Sequence, residues 1–113
     1  MADFVQRIRK NRELTVTVDR FKFTARRPTD VEAIALYRGN NAFSSVAADF
    51  VIGWEGVTEN DVIGGGGSDP IPFAAELWRE WCADRPDFWG PISDAVIESY
   101  RAHAEKVADA VKK

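Results

Sequence analysis

Cysteine and histidine are almost missing from this chain. It has one of each, Cys82 and His103. That excludes an internal disulfide, a CxxC redox or metal motif, and a zinc site assembled from several such ligands. No apolar run approaches the ~18 residues that a membrane-spanning helix requires. The opening Met1-Ala2-Asp3-Phe4-Val5-Gln6-Arg7 lacks the apolar stretch of a secretory signal. A basic excess is missing too. Fifteen Lys and Arg stand against 18 Asp and Glu, for a formal charge of −3, which argues against a general nucleic-acid binder. For 113 residues, these absences predict one intracellular domain, residues 1–113, with no membrane span and no cofactor.

What is present is patterned. Residues 2–12 read as a short helical leader with Phe4, Val5 and Ile8 at helical spacing and a basic cluster of Arg7, Arg9, Lys10 and Arg12. Residues 14–26 alternate with period two. A two-residue turn at Asp19-Arg20 would set Val18 against Phe21 and Val16 against Phe23, which makes a β-hairpin with one apolar side. Thr29-Asp30-Val31-Glu32 fits a capping box, and the helix behind it is expected to stop at Gly39 in a left-handed turn.

Asn40 or Asn41 is the expected cap of the next helix. Its apolar positions Phe43, Val46, Ala47, Phe50, Val51 and Trp54 keep 3.6-residue periodicity up to a stop at Gly56. Residues 57–70, with Gly64 to Gly67, read as a flexible glycine-rich tether. Pro70-Ile71-Pro72-Phe73 leads into a helix to about Asp84, with a stripe of Phe73, Leu77, Trp78, Trp81 and Cys82, and Arg85-Pro86 breaks it. A last helix begins between Asp87 and Pro91 along the seam Ile92, Val96, Tyr100, His103, Val107 and Val111. Its alanine-rich far half is too lightly apolar to be buried, so it projects or meets a partner. The expected fold is α+β and mainly helical, a β-hairpin followed by four helices.

No residue set invites a catalytic assignment. The glycine run lacks the Lys-Ser/Thr of a phosphate loop. Cys82 lies on an apolar helix stripe beside Trp81, where cysteine behaves as a small hydrophobe, and no third residue orients His103 as its base. Two features point to binding. Residues 1–28 hold eight Lys or Arg against three acids, so the hairpin can offer a basic face to an acidic partner. Four tryptophans with seven phenylalanines are also many to bury. Trp54 and one of Trp78 or Trp81 are expected in the core. The remaining indoles are expected in an exposed contact patch, with Trp78, Trp81, Phe88, Trp89 and Tyr100 as candidate contact residues.

The order of phrases carries a resemblance. Phe50-Val51-Ile52-Gly53-Trp54-Glu55-Gly56-Val57 is followed by an acidic-polar loop, then Asp69-Pro70-Ile71-Pro72-Phe73, a Trp/Leu helix, and a helix reaching Tyr100-Arg101-Ala102-His103. With the upstream hairpin and Arg27-Pro28-Thr29-Asp30-x-Glu32, this resembles the small tail assembly chaperones of long-tailed bacteriophages over roughly residues 14–103. The glycine-rich loop, and Ala74 where a capping serine is common, depart from that pattern.

The resemblance implies a non-enzymatic protein of the host bacterial cytoplasm that binds the aggregation-prone tape measure protein, helps recruit tail tube protein, and is absent from the mature virion. It leaves self-association open. The terminal Lys112-Lys113 can be encoded by a slippery A-rich heptamer, which fits the short product of a frameshifting gene. The alternative is a virion structural protein, a head–tail connector or minor tail subunit.

Overall fold

The computed structural model describes residues 2–39 and 42–112. Helix α1 (Ala2–Lys10) precedes strands β1 (Glu13–Val18) and β2 (Phe21–Arg26). The hairpin has the expected register, Val18 opposite Phe21 and Val16 opposite Phe23, and its apolar face is buried. Its turn closes without glycine. Asp19 takes the left-handed conformation itself, at φ 55°, which a short polar side chain tolerates better than most.

Beyond Arg27-Pro28, Thr29 caps helix α2 (Asp30–Arg38). The capping box is complete. The Glu32 amide donates to Thr29 Oγ1 at 3.2 Å and the Thr29 amide donates to Glu32 Oε1 at 3.0 Å. Arg26 donates to both Glu32 oxygens at 2.7 Å, tying the end of β2 to the start of α2. Gly39 ends α2, but in extended backbone at φ −92° and not in the expected left-handed turn. Asn40 and Asn41 lie outside the described residues. Helix α3 (Phe43–Phe50) starts behind Ala42 with no side-chain cap.

The Arg26 fork, backed by the Thr29 amide, holds the Glu32 carboxyl at about 2, below its usual 4.5. A carboxylate depressed in the folded state stabilises fully above its unfolded value and loses that contribution as pH falls toward the folded one. Stability should therefore drop between about pH 4.5 and 2. Both side chains are roughly a third exposed, so after solvent screening the drop is ~1–2 kcal/mol. Urea midpoints followed across that window should fall more steeply for the wild type than for Glu32→Gln; parallel curves would show the pair to be inert.

The helix expected to run through Trp54 stops at Phe50. Val51–Glu55 is instead a strand, β3, antiparallel to β2, which completes a sheet of order β1-β2-β3. The reason is a bulge. Ala25 faces Val51 and Thr24 faces Gly53, so Ile52 is an extra residue. It points outward, 41% exposed. One extra residue lets Val51 and Trp54, three apart, fall on the same face, against Ala25 and Phe23. A bulged strand thereby imitates helical spacing. Gly56 does take a left-handed turn, φ 75°, but it ends a strand.

The expected tether is also corrected. Val57 is fully buried, and Thr58 caps a one-turn helix, α4 (Glu59–Val62), through a second capping box with Asp61. Thr58 bridges Pro70, and the Ile71 amide donates to the Val57 carbonyl at 2.8 Å, so the loop's two ends are joined. Inside it the Asn60 amide donates to Gly67 O and the Gly65 amide to Asn60 Oδ1. Gly66 is needed for closeness. A Cβ there would stand 2.7 Å from Glu59 Cγ and 3.1 Å from its carbonyl carbon.

Helix α5 (Ala75–Ala83) follows, then α6 (Pro86–Lys112), which opens on a proline whose missing amide costs nothing at that position. The fold is α+β and mainly helical, as expected, but with three strands and six helices among the described residues in place of a hairpin and four helices. The sheet's inner face, α3, α5 and the near half of α6 enclose one core. Its centre is aromatic: Phe23 lies 4.9 Å from Trp78 and 5.2 Å from Phe88, and Phe21 lies 5.4 Å from Trp81, ring centre to ring centre.

Ser93 is the polar exception in this core, fully buried on α6 with no hydrogen-bond partner for Oγ among the described residues. Ser93→Ala removes an unsatisfied hydroxyl and improves helix propensity, so it should stabilise by ~1 kcal/mol in chemical denaturation. A loss of that size would instead reveal a partner for the hydroxyl.

Candidate interaction surfaces

The structure separates the five aromatic residues expected to contact a partner. Trp78 and Phe88 are fully buried and Trp81 is 6% exposed. These three are corrected from contact residues to core, because the gap between the sheet and α5–α6 is filled by their rings. Trp89 is half-buried, with its indole N–H donating to the Cys82 carbonyl at 2.7 Å. Trp54 is likewise half-buried and donates to the Ile71 carbonyl at 2.9 Å. The expected patch of exposed indoles is therefore not formed.

Tyr100 stands apart from that cluster. It is half-buried on α6, and its hydroxyl lies 2.9 Å from Asp30 Oδ1 at the start of α2. His103 Nε2 lies 3.6 Å from the same oxygen. Between α2 and α6 opens an apolar slot of about 260 Å³ lined by Pro28, Ala33, Leu36, Val46, Ile97 and Tyr100. Beside it α2 exposes Val31 (79%) and Ile34 (55%). Beyond it the far half of α6 runs out exposed, Val107 and Val111 included, as the sequence predicts. At ~1.5 Å per residue the 27-residue helix is ~40 Å long. Tyr100 is the one expected contact residue that lines this slot; the slot itself is not among the sequence expectations. Its signal was available: α2 carries apolar residues on more than one side, more than one packed face can absorb.

The basic hairpin face is half consumed internally. Arg26 is held by Glu32, and Arg20 is paired with Asp61, whose side chain is 2% exposed. Lys22, exposed on β2, forms no ion pair among the described residues. Arg7, Arg9, Lys10 and Arg12 form no ion pair among the described residues.

Cys82 and His103 are not brought together. Cys82 is buried below Trp89, and burial pushes its thiol up to about 11, away from the reactive thiolate. His103 lies fourteen residues beyond Trp89 along α6, ~21 Å away. The Glu59 carboxylate fills the hollow behind Gly66 and Gly67, where a phosphate loop would present amides to an anion. No group of three metal-ligating side chains occurs among the described residues, and no described helix is long and apolar enough to cross a membrane.

The two phrases that carried the family resemblance meet in space. Besides the Trp54–Ile71 hydrogen bond, the Trp54 and Phe73 rings stand edge to face at 5.0 Å. They clasp the loop between them. The chain matches no protein-family model, no curated protein and no solved structure.

Proposed function

We propose that this protein is a tail assembly chaperone of a long-tailed bacteriophage, which binds helical segments of the tape measure protein in the host cytoplasm and acts by contact and not by catalysis. The observation that carries this reading is the apolar slot between α2 and α6, with Tyr100 in its wall and Val31 and Ile34 exposed beside it. A slot of this kind accepts the apolar positions of an amphipathic helix, and the exposed far half of α6 extends the surface along which such a helix can lie. The order of the GW-x-G-V and P-hydrophobic-P-F phrases resembles that family and supports the reading. Tail tube protein is a second partner under the same reading.

Co-expression tests it. The tape measure protein should remain in the supernatant and co-purify with the wild-type chain. Ile34→Glu, at an exposed position, and Ile97→Glu, in the slot wall, should lower the yield of complex about tenfold or more. Ile34→Glu serves as the control for folding. A tape measure protein that is equally soluble alone, or a complex indifferent to both substitutions, overturns the reading.

A further inference from the structure

A second surface is independent of the slot and of any tape measure protein. Helix α1 has no buried residue. Its Gln6 and Arg9 turn toward the body, lining a cleft with Ile52, whereas Phe4, Val5 and Ile8 are 59%, 40% and 44% exposed. Basic residues flank that apolar stripe, and none forms an ion pair among the described residues. It is an amphipathic cationic helix whose apolar side is left exposed among the described residues.

The same chain carries the complementary surface. Between α4 and α5 lies an open groove of about 460 Å³, with Val62, Ile63 and Leu77 among its lining and Trp81 beneath. Ile63 is 65% exposed. Glu80 and Asp84 stand at this groove exposed and without ion pairs among the described residues, whereas Arg85, the cation beside them, is already forked onto Asp87. Apolar lining with unpaired acids fits an apolar stripe flanked by unpaired bases.

Within one copy the two surfaces stay apart. Helix α1 is fixed at the open end of the hairpin, where the Arg27 amide donates to the Arg12 carbonyl. The groove is fixed at the turn end, where Arg20 pairs with Asp61 and Phe21 meets Trp81. The six-residue strand between those ends spans ~20 Å.

We propose that α1 of one copy docks in the α4–α5 groove of a second copy, so that the protein associates head to tail. Such a contact uses two different patches. Each added copy leaves one α1 and one groove free, and the array stays open unless it closes into a ring. A nine-residue helix is a small contact, so association is weak and sensitive to salt.

Sedimentation velocity tests this with three variants of the full chain. Phe4→Asp/Ile8→Asp removes the docking stripe, and Glu80→Lys/Asp84→Lys reverses the groove's charge. All four positions are exposed, and circular dichroism verifies each fold. Arg7→Glu/Lys10→Glu, both exposed, is a second, charge-reversed form of the docking helix. The wild type should grow in mean mass beyond a dimer as its concentration rises toward ~300 µM. Raising NaCl from about 50 to about 500 mM should weaken that growth about tenfold. Each variant alone should remain a monomer. An equimolar mixture of the stripe variant and the groove variant should form a one-to-one dimer and nothing larger, because it retains one intact α1 and one intact groove. The proposal is overturned if the wild type stays monomeric, including when it binds vesicles of anionic lipid through α1. It is equally overturned if any of the variants associates alone, or if the mixture does not pair.

Discussion

Trp78→Ala should bring the protein to the edge of unfolding. The indole is fully buried and its N–H donates to the Ala47 carbonyl at 3.1 Å, linking α5 to α3. Its ring meets Phe23, Trp81 and Phe88 with centroids 4.9, 6.0 and 5.8 Å away. Alanine would leave a cavity where three elements meet and orphan a buried carbonyl. The combined cost is ~4–5 kcal/mol, against ~5–15 kcal/mol of total stability for an ordinary domain. Trp78→Phe keeps most of the packing and should cost roughly half as much. Denaturant melts followed by circular dichroism give both values. A surface indole would cost under ~0.5 kcal/mol, so the measurement decides directly between a core role for Trp78 and the contact role that composition alone suggests.

Each element needs a different kind of information to be legible in the sequence. The hairpin register was legible because a two-residue turn and a period of two leave a single pairing that buries both apolar rows. The Thr29–Glu32 box was legible because both partners lie within one turn. The exposure of the far half of α6 followed from its thin apolar seam. Strand β3 was not legible, since the bulge at Ile52 gave Val51 and Trp54 the i, i+3 spacing of a helix. The order in residues 57–70 was not legible either. It comes from backbone bonds such as Ile71 to Val57 and from the close approach at Gly66, neither of which leaves a hydrophobic pattern.

Trp78, Trp81 and Phe88 belong to the core and not to a contact patch for a related reason. Composition counts indoles but does not say how much space lies between a sheet and two helices. Charge was misread in the same way. The pairing of Arg20 with Asp61 spans 41 residues, so counting the bases of the hairpin could not reveal that this one is already taken. What stays exposed is aliphatic and phenylalanine, not indole: Val31 and Ile34 on α2, Phe4, Val5 and Ile8 on α1, and Phe43 on α3. Both surfaces offered to other chains are therefore stripes on helices and not a tryptophan patch.

Trp54→Ala should release the 56–74 loop while the rest of the fold persists. Trp54 reaches the loop's exit from β3 through its hydrogen bond to Ile71 O, and its ring contacts Phe73 and, at 5.9 Å, Trp81. Removing it costs ~3 kcal/mol in packing and hydrogen bonding at a half-buried site. That loss falls unevenly. The sheet, Trp78 and the α3–α6 contact keep their neighbours, whereas the chain from Val57 to Phe73 loses the side chain that holds its exit and keeps the buried Val57, its backbone bridges Ile71–Val57 and Thr58–Pro70, and the Arg20–Asp61 pair. Amide exchange should resolve the difference. Protection of Ile71 and Asn60, whose amides close the loop, should fall about a hundredfold further than that of the core amides of β2. Trp54→Phe retains the ring contacts but not the N–H donor and should lie between the two. A uniform loss of protection across loop and core would mean that the loop opens only when the whole molecule does, and that the tryptophan is one more core residue and not a clasp.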